Sequence, residues 1–222
     1  MPTATIISVL NVLSGAVALL ISYYAYKNNR LVGSILLRYI SIGFLLLGFS
    51  LFLQAGTANV VAATALDAVK VRGEELVAFL VYTALQLIAY AVFAWGYGLS
   101  FFSRATSKSP AIPSVLAGTT TLAKKLLETS VFVAAVYLVS QAAIVVLLFL
   151  IVYHGVRVFS HTHSNLSLMV LFGFALILVA HIVTLTAALT VGANLNLVGN
   201  TIEFCGFVSL VFFLYWSARV VS

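Results

Sequence analysis

Runs of apolar residues, most of them long enough to cross a bilayer, succeed one another along nearly the whole chain, with only brief polar interruptions. About 20 apolar residues in an α-helix span the hydrocarbon layer, which is ~30 Å thick. The pattern therefore predicts an all-α fold: a polytopic transmembrane helical bundle of about six spans. The expected spans are 4–26, 31–54, 75–103, 125–159, 165–190 and 195–219, forming a single integral membrane domain over 1–222. Lys27-Asn28-Asn29-Arg30 closes the first span, and the loop after the second holds Asp67, Lys70, Arg72, Glu74 and Glu75. Ser103 to Lys108 follow the third span and lead to Pro110 and Pro113. Proline stops or kinks helices, so Ala111 to Thr121 reads as an interfacial or re-entrant piece rather than a span. Gly192-Ala193-Asn194 supplies the last turn. The first apolar run has no basic leader and reads as a retained span, not a cleaved signal.

Composition agrees and narrows the function classes. Of the 222 residues 63% are hydrophobic and 7% charged, and mean hydropathy is +1.18, which leaves no room for a soluble domain. The net charge of +6 is scattered over the polar breaks. Without a basic patch interleaved with aromatics, nucleic acid is not an expected partner. The expected partners are the lipid bilayer and either further copies of the chain or partner membrane subunits. The expected location is the plasma membrane of a prokaryote. If spans alternate, Lys27, Arg30, Arg104, Lys108, Lys124 and Lys125 share one side, and Lys70, Arg72, Arg157 and Arg219 the other. The richer side is expected to be cytoplasmic, with both termini outside. The lone Cys205 has no internal disulfide partner.

A weak internal echo accompanies the spans. Shifting the chain by 130 residues brings Tyr23 onto Tyr153, Ser34 onto Ser164 and Gly43-Phe44 onto Gly173-Phe174. Trp95 and Trp216 match at a shift of 121. With strict alternation, two such three-helix halves would be inverted relative to each other, as in many secondary transporters.

Charged groups in hydrocarbon cost on the order of 3 kcal/mol each, so they face the bundle interior and find partners. Arg38, Glu128, His181 and Glu203 are expected to form a buried polar cluster approached from one membrane face. Arg38 and Glu203 are the natural ion pair, and His181 could bond a carboxylate and titrate together with Glu203. The same residues could instead clamp helices two, five and six together, with Arg38 and Glu128 snorkelling to the surface. Tyr82, Gln86 and Tyr90 share a face of the third span and are candidates for lining a cavity, although such a stripe usually packs helices. His154, His161 and His163 are weak metal candidates, because zinc or copper would need further ligands. No cofactor is expected in this chain alone: a haem would need two histidines at one depth on facing helices, which the alternating spans do not offer, so only one shared with a partner subunit stays open. No nucleotide, hydrolase or metalloprotease motif occurs, so the chain is expected not to be an enzyme. These features favour a small transporter or channel-like protein with a buried proton-responsive cluster. The alternative is a non-catalytic membrane subunit or anchor of a larger respiratory, secretion or sensory complex.

Overall fold

A computed structural model describes residues 2–64, 73–102, 130–163, 165–190 and 193–220, and all but a few turn residues are helical. We number the helices α1 (Pro2–Val32), α2 (Ile35–Thr64), α3 (Gly73–Phe102), α4 (Ser130–Thr162), α5 (Asn165–Thr190) and α6 (Ala193–Val220). Each contains an apolar stretch of 22 to 29 residues, or about 33–44 Å of helix at ~1.5 Å per residue. All six can cross a bilayer, and the chain is a multi-pass integral membrane protein. The expected interfacial piece at Ala111 to Thr121, the start of the fourth span before Ser130, and Glu128 lie outside the described residues.

The helices form a closed ring in chain order: each packs on its sequence neighbours, and α6 returns to α1. Side-chain contacts fix their directions. We call the face where α1 begins the near face and the face where it ends the far face. Antiparallel packing of α1 and α2 brings Ser8 to Ala55 and Ser22 to Ser41. Between α2 and α3, Ser50 donates to the Tyr82 carbonyl, and Tyr39 packs beside Gly96. Then the alternation breaks. Val133, at the start of α4, packs with Phe79 and Tyr82 near the start of α3. Two turns on, Gln141 of α4 and Tyr90 of α3 bond the same imidazole. Thus α3 and α4 run parallel. At the far face, Tyr24 late in α1 meets Tyr215 late in α6, with ring centroids 6.2 Å apart.

The sequence echo is therefore real in three dimensions, but its sense differs from expectation. α1–α3 and α4–α6 each run up, down and up, so the halves are related by rotation about the bundle axis rather than by inversion. Their turns match too. Gly33 has φ +68° and donates its N–H to Asn29 O; His163 has φ 45° and donates to Phe159 O. Both are left-handed C-terminal helix caps. Gly43 and Gly173 repeat a packing role, each receiving a bulky side chain of the following helix, Phe93 or Leu210. Membrane helices associate through such close, small-residue contacts, because burying apolar surface gains little against lipid.

Parallel α3 and α4 also revise the orientation. Lys27, Arg30, Arg38, Arg157 and Arg219, all the Lys and Arg within the described residues, sit toward the far face. Strict alternation had set Arg157 and Arg219 opposite Lys27 and Arg30. Glu74 and Glu75 begin α3 at the near face. Among the described residues positive charge therefore collects at the far face, the pattern that favours a cytoplasmic side. The N-terminal end of α1 and the C-terminal end of α6 lie on opposite sides, not both outside.

Candidate functional site

In the middle of the ring, four helices each supply one polar side chain. Tyr90 comes from α3, Gln141 from α4, His181 from α5 and Glu203 from α6, and all four are buried. Counting ~1.5 Å per residue, Gln141, His181 and Glu203 lie about 12–14 Å from the near-face ends of their apolar stretches, and Tyr90 about 12 Å from its far-face end. That places the cluster close to the bilayer midplane.

His181 is the hub. Its Nδ1 lies 2.9 Å from Gln141 Oε1, and its Nε2 lies 2.9 Å from Tyr90 Oη and 3.6 Å from Glu203 Oε1. The Tyr90 ring also stands edge-on to the imidazole, with centroids 5.4 Å apart. With an amide oxygen as its neighbour, Nδ1 carries hydrogen and donates, which leaves Nε2 as the acceptor of the neutral ring. In the neutral ring Nε2 accepts from the Tyr90 hydroxyl; in the imidazolium it donates toward Glu203. Glu203 Oε1 is fully buried and has no hydrogen-bond partner among the described residues. One proton shared by the pair gives either neutral imidazole with carboxylic acid or imidazolium with carboxylate. Both forms have zero net charge, which a low-dielectric interior tolerates best.

Local packing holds these groups in register. Gly199 and Gly206 let α6 approach α5 so closely that a Cβ at Gly199 would meet Thr184 and Ala180, and one at Gly206 would meet Ile177 and Gly173. The Asn200 side chain donates to Asn196 O at 2.8 Å and Oδ1 at 3.1 Å. On the far-face side, Phe44, Phe93, Phe174 and Phe207 close the interior, with ring centroids of Phe44 4.7 to 6.1 Å from the other three. Tyr97 packs against Phe174 in the same layer.

His181 and Glu203 thus come together, while Arg38 stands apart. It lies on the first turn of α2 at the far face, exposed, so the expected Arg38–Glu203 pair is not formed. The reason is direction: α2 enters from the far face and α6 from the near face, and three residues of helix cannot carry Arg38 to mid-depth. Tyr82, Gln86 and Tyr90 are buried on one face of α3. Only Tyr90 reaches the imidazole; Tyr82 packs with Phe79 and Val133 instead. His161 and His163 are exposed toward the far face, and His154 is half-buried and donates from Nδ1 to Leu150 O. No group of three His, Cys, Asp or Glu side chains suited to a metal ion occurs among the described residues. Gln141 escaped the sequence reading. Its signal was a carboxamide inside the most apolar of the six stretches, where an uncompensated polar group is costly.

Comparison of the chain with known protein families, with curated proteins and with solved structures gave no match.

Proposed function

We propose that the chain is a small proton-responsive transport protein of the cell membrane, which acts by binding and releasing protons rather than by covalent catalysis. The observation that carries this reading is the His181–Glu203 contact near the bilayer midplane, with Glu203 Oε1 left without a hydrogen bond. A purely structural polar contact satisfies its partners, whereas an ionisable carboxyl with an unpartnered oxygen in hydrocarbon is a functional feature by default. Ring packing supports the reading, since mid-depth sites between two matched halves suit a transport cycle. Tyr90 and Gln141 would fix the ring orientation, and the Nε2–Oε1 pair would exchange the proton.

Reconstitution tests it. Purified protein in liposomes containing a pH-sensitive dye, with an imposed membrane potential, should acidify the lumen faster than empty liposomes. Glu203→Gln and His181→Ala should each lower that rate at least about tenfold. Wild-type protein no faster than empty liposomes, or unchanged flux in the double variant, would overturn the proposal.

A further inference from the structure

We infer that Glu203 exchanges protons with the near face, the extracytoplasmic one, along the amide-bearing stripe of α6, and that the aromatic layer seals it from the cytoplasm. This deepens the transport reading and rests on Glu203 being the titrating carboxyl.

The two directions away from Glu203 differ sharply. Toward the near face, the same side of α6 presents Asn200 and then Asn196, at helical spacings of three and four residues. Asn200 is buried, Asn196 is half-buried, and the two are linked by the amide bonds described above. From Asn194, where the apolar stretch begins, Asn196 is about 3 Å deep, Asn200 about 9 Å and Glu203 about 14 Å. Each step is then within reach of one bridging water or hydrated proton. Thr184 of α5 lies against Gly199 beside this stripe. On the neighbouring helix α1, Asn11 is buried, with its Nδ2 unpartnered among the described residues. Asn11 Nδ2, Tyr82 Oη, Thr83 Oγ1 and Glu203 Oε1, all buried without hydrogen-bond partners among the described residues, thus occur in the near-face half of the bundle, where water can satisfy them.

Toward the far face the next turns of α6 are Gly206, Phe207 and Leu210, and all three are buried. Ile177 and Phe174 of α5 and Phe44 of α2 complete this layer. Two of its buried hydroxyls, Ser22 and Ser41, each donate to the other's carbonyl and so are satisfied. Among the described residues, that side of α6 presents no polar side chain at Gly206, Phe207 or Leu210.

The titratable groups facing Glu203 are His181 from α5, Tyr90 from α3 and Tyr137 from α4. Those described on α1 and α2, from Tyr23 to Arg30 and at Arg38 and Tyr39, sit toward the far face. Nothing charged from those helices competes for the proton.

Side-specific cysteine labelling tests the inference. In a Cys205→Ser background, Asn196→Cys, Asn200→Cys, Phe207→Cys and Leu210→Cys would be treated with a small membrane-impermeant trimethylammonium thiosulfonate, in right-side-out and in inverted vesicles. Positions 196 and 200 should react at least about tenfold faster from the extracytoplasmic side, and 207 and 210 from neither side. Labelling at 207 or 210 from the cytoplasmic side, faster labelling at 200 from that side, or labelling at 196 with none at 200, would overturn it. Asn196→Cys at the mouth serves as the check that the variants fold. Labelling as expected without proton flux would leave the access route standing and remove the transport reading. Flux with the opposite labelling would do the reverse.

Discussion

Phe44 and Phe174, which occupy matching places in the two halves of the chain, meet inside the ring with centroids 6.1 Å apart and planes inclined by 39°. Each half thus contributes one ring to the seal beneath the polar site. Both side chains are fully buried, and Phe→Ala in a packed core costs about 3–5 kcal/mol. Phe44→Ala and Phe174→Ala should each destabilise the protein by that order in reversible unfolding from detergent or bilayer. Because the rings touch, the double variant should cost measurably less than the two losses added together.

The glycines offer a sharper contrast. A Cβ at Gly173 would come within 2.5 Å of Leu210 side-chain carbons, whereas a Cβ at Gly98 would meet nothing within 4 Å. Overpacking costs about 1–3 kcal/mol, while alanine in place of a helical glycine gains about 0.5–1 kcal/mol. Gly173→Ala should therefore lower the melting temperature and Gly98→Ala should raise it slightly. Thermal denaturation followed by tryptophan fluorescence or light scattering would compare them.

The sequence discloses much of this architecture, and its failures have physical causes. Hydropathy locates the helices, because lipid demands long uninterrupted apolar runs whatever the fold. It carries no information on direction, so alternation was the default, and it failed where α3 and α4 run side by side the same way. The Gly43-Phe44 and Gly173-Phe174 echo was visible, but its sense depended on that one step. His181 and Glu203 stood out as ionisable groups in hydrocarbon. Their partners did not: Tyr90 was one of several tyrosines on its helix face, and Gln141 is uncharged. Arg38 misled, because α2 begins only three residues before it and enters from the face opposite to α6, whereas alternation brings both in from one face.

Direction has its own consequence. With α1 beginning at the near face and α6 ending at the far face, a reporter at the N-terminus and one at the C-terminus should lie on opposite sides of the membrane. Fusions of a reporter active only in the cytoplasm should be active at the C-terminus and silent at the N-terminus. Equal activity at both ends would restore the alternating arrangement and undo the parallel packing of Val133 beside Phe79.

The polar hub separates two roles that the same residues could play. Tyr90→Phe removes one hydrogen bond to His181 Nε2 and keeps the ring in place. Gln141→Leu removes the acceptor for Nδ1. Hydrogen bonds between membrane helices average about 0.6 kcal/mol and reach about 1.7 kcal/mol, so each change should cost stability within that range. Glu203→Gln is different, because Oε1 makes no hydrogen bond to lose. A neutral carboxamide there avoids the burden of a buried charge. It should cost less stability than either of the other two changes while proton flux collapses. If the cluster were only a clamp, the losses would fall in the opposite order. Glu203→Gln would then be the most damaging to the fold, and Tyr90→Phe and Gln141→Leu would alter flux no more than their small effect on folded protein requires. Measuring unfolding free energy and flux on the same three variants decides between binding protons and holding helices.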